Sequence, residues 1–136
     1  MAHQLNFRTT HQYDTLENGI TLEVILRAGG KVQRTSAKLD TGASHCFFQR
    51  EYAEALGIDL ASGERISVHT ATGSFLAYGH QITLEVLGLL FDTAVYFAND
   101  YGFPRNVLGR KGWLDRVRLG LVDYEGQLYL SDYNDL

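Results

Sequence analysis

Residues 64–98, ERISVHTATGSFLAYGHQITLEVLGLLFDTAVYFA, hold more than thirty residues of β pattern interrupted only by turn signals. Ile66 and Val68 alternate with polar neighbours, Thr72-Gly73 makes a turn, and Phe75 to Val86 runs back. Gly88 then permits a second turn before Phe91 to Phe97. A long segment of this kind commits most of the chain to hairpins, because alternating or continuous apolar runs between turn residues are the mark of strands. The flanks agree. In GITLEVILRAGGKVQRTSAKLDTG, Leu22, Val24 and Leu26 share one parity, and Gly29-Gly30 separates that run from Lys31 to Leu39. Glycine pairs suit tight hairpins because both positions need positive φ. QREYAEALGI, residues 49–58, reads as a short helix with Tyr52, Ala55 and Leu56 on one face and Gly57 at its end. A helical turn near Trp113–Val117 and a hairpin turning at Glu125-Gly126 complete the reading. The expectation is a mainly-β fold with one or two short helices.

The chain has 136 residues, enough for one core, so a single domain over residues 1–136 is expected, its body spanning about 19–131. The net charge of −4 comes without a basic tract, which argues against nucleic acid or an anionic membrane surface as partner. No apolar run reaches membrane-spanning length, and MAHQLNFRTT has no apolar signal core. Cys46 is the only cysteine, so an internal disulfide is ruled out and a reducing, cytoplasmic setting is expected. Cys46 sits in a run with Phe47 and Phe48 and reads as a core residue. The five histidines show no zinc-ligand spacing, so no metal and no other cofactor is expected.

One stretch breaks the apolar grammar. SAKLDTGASHCFF, residues 36–48, carries an acid, Asp40, at the end of an apolar run and on the lip of a glycine turn. A lone carboxylate is costly to bury, so its place needs a reason. A turn cap is one, since Asp, Thr and Gly are ordinary turn residues. A functional carboxylate is the other. Two aspartates held about 3 Å apart cannot both ionise, so they share a proton, and the pair can both activate a water and polarise a peptide carbonyl. Beside such a pair, a threonine hydroxyl can bond across to backbone, and glycine lets the backbone come close to the carboxylates.

The triplet D-T-G gains weight from its surroundings. Leu39 precedes it, Ala43 and Ser44 follow, a glycine-turned hairpin lies at Ile66–Tyr78, and Val107-Leu108-Gly109-Arg110 comes later. This order resembles the retropepsin-like aspartic proteases, the single-domain relatives of pepsin, over roughly Gly19 to Ser131. The resemblance implies a single-domain acid-protease barrel that is one half of a symmetric homodimer, because the chain has one D-T-G and needs a second Asp from a second copy. It implies an aspartic endopeptidase acting on peptides or proteins, with Asp40 catalytic and Thr41, Gly42 and Ala43 supporting it. It implies substrate contacts from Ser44, from the flap tip Ala71, Thr72, Gly73 and Ser74, and from Val107 and Leu108. Gly109 and Arg110 take structural or dimer roles, and the C-terminal GQLYLSDY supplies interface strands. Ser44 and His45 stand where the retroviral enzymes carry acids, so Arg110 inherits no ion-pair partner. The competing reading is a catalytically silent dimeric module on the same fold, holding a peptide as an added strand.

Overall fold

The computed structural model describes residues 1–135. Its strands are β1 (Thr9–Gln12), β2 (Thr21–Ala28), β3 (Lys31–Leu39), β4 (Phe47–Phe48), β5 (Glu64–Thr70), β6 (Gly73–Val86), β7 (Leu89–Ala98), β8 (Val107–Leu108), β9 (Val117–Val122) and β10 (Gln127–Asp132). The one α-helix, α1 (Arg50–Ala55), follows β4 directly and is shorter than residues 49–58. The turn near Trp113 is a single 3-10 turn at Leu114–Arg116.

Seven strands form one sheet in the order β2-β3-β8-β4-β7-β6-β5, and β2 also pairs β6, so the sheet curls back on itself. The β2–β3 hairpin turns at Gly29 and Gly30, with φ of 56° and 79°, values that few side chains tolerate. Its alternation sends Leu22, Val24 and Leu26 inward, all at most 1% exposed. They pack with Leu84, Val86, Val95, Phe97 and the fully buried Trp113. Burying such a side chain contributes roughly 1.5–3 kcal/mol, which makes this cluster the main stabilising mass.

Three strands form a separate sheet, β1-β10-β9, whose inner residues Leu128 and Leu130 reach the same core. β1 is Thr-Thr-His-Gln and has no apolar alternation; it exists because its backbone pairs with β10, Thr9 opposite Leu130 through Gln12 opposite Gln127. GQLYLSDY, expected to supply interface strands, holds β10. β10 is the middle strand, with both edges filled by β1 and β9, so its backbone has no free edge to offer a partner. The open edges belong to β1 and β9, and Leu121 and Val122 are exposed on β9. No described helix is long and apolar enough to cross a membrane.

The site is positioned by the middle of the large sheet. The two-residue β8 inserts between β3 and β4, parallel to β3 and antiparallel to β4. Lys38 lies opposite Val107 and Leu39 opposite Leu108, so the end of β3 and the end of β8 arrive together.

Candidate active site

Asp40 is the first residue past β3. Its N–H donates to the carbonyl of Leu108 at 3.0 Å, which carries the β3–β8 ladder one step beyond the strand. The chain then turns. Ala43 N–H donates back to the Asp40 carbonyl at 3.2 Å, and Gly42 N–H donates to Asp40 Oδ1 at 2.9 Å. The carboxylate is thereby oriented by its own turn. A Cβ on Gly42 would lie 3.2 Å from that same oxygen, so a glycine keeps the approach open. Thr41 is exposed at the crest of the turn, with no side-chain hydrogen bond among the described residues.

The segment after β8 locks the turn from below. Arg110 N–H donates to the Ala43 carbonyl and Lys111 N–H to the Ser44 carbonyl, both at 2.9 Å. Gly109 is where the two segments cross most closely. A Cβ there would fall 2.0 Å from the His45 carbonyl oxygen and 2.8 Å from that of Ala43. Arg110 itself is exposed, and its guanidinium forms no ion pair among the described residues.

Above the turn opens a cleft of about 870 Å³. Its floor is the 40–47 segment, its roof the β5–β6 hairpin, and its side the loop 103–107. Of the residues expected to act together, Asp40, Gly42, Ala43, Ser44, Ala71, Thr72, Gly73, Ser74 and Val107 line this cleft. Thr41, Gly109 and Arg110 do not line it. Leu108 requires a correction. Successive strand residues face opposite ways, and here Val107 faces the cleft while Leu108, fully buried, joins the main core. Leu108 therefore does not line the cleft, whereas Val107 does.

The hairpin pairs from Glu64 opposite Gly79 to Thr70 opposite Gly73, leaving Ala71 and Thr72 as its two-residue tip. The tip is exposed, and Thr70 Oγ1 closes it with a hydrogen bond to the Gly73 carbonyl at 3.1 Å. Beneath it lies a second apolar cluster of Phe47, Ala77, Tyr96 and Val107, with Ile66, Val68, Phe75 and Phe103 packed against it. Phe75 joins roof to floor and side wall: its ring centroid is 5.4 Å from that of Phe47 and 4.7 Å from that of Phe103.

The sequence reading missed this aromatic wall. Adjacent Phe47 and Phe48 split between cleft and core, and only the strand parity of β4 gave a signal for it. His45 was missed too. Its ring lies edge-on to Tyr96 at 4.7 Å, and Tyr96 in turn donates its hydroxyl to Glu64 Oε2 at 3.1 Å. Partial burial, then the Lys111 charge, hold His45 below its ordinary pKa, against the opposing pull of Glu64.

Cys46 is fully buried, and burial pushes its thiol up to about 12. The thiolate is the reactive form, so native protein at pH 8 is expected to resist iodoacetamide while urea-unfolded protein is alkylated fully. Mass spectrometry of both samples checks this; rapid native labelling would mean that the segment opens. Among the described residues no group of three or more His, Cys, Asp or Glu is arranged to hold a metal ion.

A curled β sheet with an acid-bearing turn crossed by a glycine segment, under a hairpin roof, defines a small retropepsin-like β domain. The family model described as aspartyl protease matches residues 24–111, which include the Asp40 turn, the hairpin and Gly109. The chain belongs to the aspartyl protease family. No curated protein sequence matches it.

Proposed function

We propose that the chain is an aspartic endopeptidase, a single domain over residues 1–136, which acts as a homodimer and hydrolyses peptide bonds with water activated between Asp40 of two copies. The observation that carries this reading is the Asp40 carboxylate, held by Gly42 N–H at 2.9 Å, on the floor of an 870 Å³ cleft of which it is the only lining carboxylate among the described residues. One carboxylate cannot serve as both base and acid toward the same carbonyl in one step. A second copy of the same turn, brought up on a two-fold axis, supplies the other.

Two further features favour the dimer. Thr41 is exposed, so its hydroxyl is free to bond the partner's backbone across the axis. The three-stranded sheet leaves open edges at β1 and β9, and an unpaired edge is a template for pairing with another chain. In this reading the β5–β6 hairpin acts as a flap that excludes water and bonds the substrate backbone, with Ala71–Ser74 at its tip. Gly42, Ala43, Ser44 and Val107 then contact the substrate, and no cofactor takes part. A cytoplasmic location agrees with the single buried cysteine.

The test is dilution. If the site forms only between two copies, specific activity on a fluorogenic peptide falls as protein is diluted below the dimer dissociation constant. Sedimentation measured over the same concentrations should show dimer and activity disappearing together. Full activity in a monomer would sink the shared-dyad reading. Peptide binding without cleavage would favour the silent peptide-holding module.

A further inference from the structure

The charges around the cleft are one-sided. Among the described residues Asp40 is its only acid, whereas Arg105, His45 and His69 all line it. Arg105 is exposed and forms no ion pair among the described residues. Its neighbours on both sides are anchored. Phe103 stacks on Phe75 at 4.7 Å, and its carbonyl accepts Gln49 Nε2 at 3.0 Å. Asn106 is buried: its Oδ1 accepts Gln49 N–H at 3.0 Å, and its Nδ2 donates to Thr35 Oγ1 at 3.1 Å and to the Ser36 carbonyl at 3.2 Å. Backbone fixed on either side places Arg105 at the rim of the cleft. Outside the lining, Lys111 and Glu64 bring opposite charges to the neighbourhood of His45, and Glu64 accepts the Tyr96 hydroxyl.

We infer that Arg105 is a specificity-determining residue, which selects peptides carrying a carboxylate side chain within a few residues of the bond to be cut. This rests on the proteolytic reading of the site. Guanidinium binds carboxylate through two parallel hydrogen bonds between opposite charges, whereas an amide of the same shape offers one neutral acceptor oxygen and no opposite charge. In a symmetric dimer the cleft would carry two such arginines, so acids on either side of the scissile bond are favoured. The aromatic wall of Phe47, Phe75 and Phe103 takes apolar side chains, which makes the preferred peptide mixed, apolar and acidic.

The experiment has a cleavage arm and a binding arm. A mixed peptide digest is incubated with the protein, and cleaved products are profiled by mass spectrometry. The best-cut sequence is then resynthesised with Glu, Gln or Lys at its acidic position. The Glu peptide should exceed the Gln peptide about tenfold in kcat/KM, in line with the strength of charge-assisted bonds. Arg105→Gln should bring that ratio close to one, and Arg105→Glu should turn the preference toward Lys. In parallel, the Asp40→Asn protein is tested for retention on an array of the same peptides, with and without Arg105→Gln. Cleavage with no acidic enrichment, or a Glu/Gln ratio that Arg105→Gln leaves unmoved, overturns the inference and leaves proteolysis standing. No cleavage, but acid-selective retention that Arg105→Gln removes, supports acid selection by Arg105 but overturns proteolysis, and with it the placement of the acid beside a cut bond. Neither cleavage nor selective retention overturns both.

Discussion

Asp40→Asn is expected to lower peptide hydrolysis roughly a thousandfold or more, the scale on which positioned acid–base groups act, while leaving fold and assembly intact. The local geometry says why the fold survives. Asp40 uses its backbone N–H on the Leu108 carbonyl and its Oδ1 on the Gly42 N–H. Asparagine keeps that backbone donor, and its own Oδ1 can accept from Gly42, so the turn loses neither bond. What it loses is the ability to take a proton from water or to share one with a partner. In the proposed homodimer, replacing two facing carboxylates by amides also removes any charge repulsion between them, so that assembly is expected to be at least as stable as in the parent protein. The measurement is kcat/KM on one fluorogenic peptide for both proteins, with circular dichroism and sedimentation beside it. Activity within tenfold of the parent would remove Asp40 from the chemistry.

Much of the site's frame was legible in the sequence because its signals are local. The run Lys31–Leu39 ends where β3 ends, and the turn that begins at Asp40 follows from Asp, Thr and Gly in a row. The hairpin over the cleft follows from alternation around Thr72-Gly73. What could not be read depends on distant partners. β1 has no apolar pattern and is a strand only because β10 lies beside it. Placing β10 in the middle of its sheet is a fact of strand order, which hydrophobic periodicity does not encode. Val107 and Leu108 look alike in sequence, yet strand geometry sends one to the cleft and the other to the core. Arg105 was invisible for a similar reason. Its neighbours are fixed by Gln49, Thr35, Ser36 and Phe75, all at least 28 residues away.

Gly109→Ala is expected to be the most disruptive single methyl in the site. The added carbon would sit 2.0 Å from the His45 carbonyl oxygen and 2.7 Å from its carbonyl carbon. Both are backbone atoms, so no side-chain rotation relieves the clash. The segments on either side are tied down: Arg110 N–H to the Ala43 carbonyl, Lys111 N–H to the Ser44 carbonyl, and β8 laddered to β3 and β4. Either those bonds break or the 43–45 segment shifts, and each route disturbs the turn that aims Asp40. Gly109 does not have a positive φ, so close approach alone is the cause. Overpacking that the surroundings cannot absorb costs roughly 3 kcal/mol, a large share of the 5–15 kcal/mol typical of a small domain. Chemical denaturation should therefore show a lowered midpoint at an unchanged slope, and residual activity should be low even where the variant is still folded. Ala43→Gly, which removes a methyl from the facing turn and its packing on the second apolar cluster, serves as the contrast and should lower the midpoint by much less, on the scale of about 1 kcal/mol. A Gly109→Ala protein with the parent's midpoint and full activity would mean that the two segments do not cross as closely as the geometry places them, and the support of the Asp40 turn would need another source.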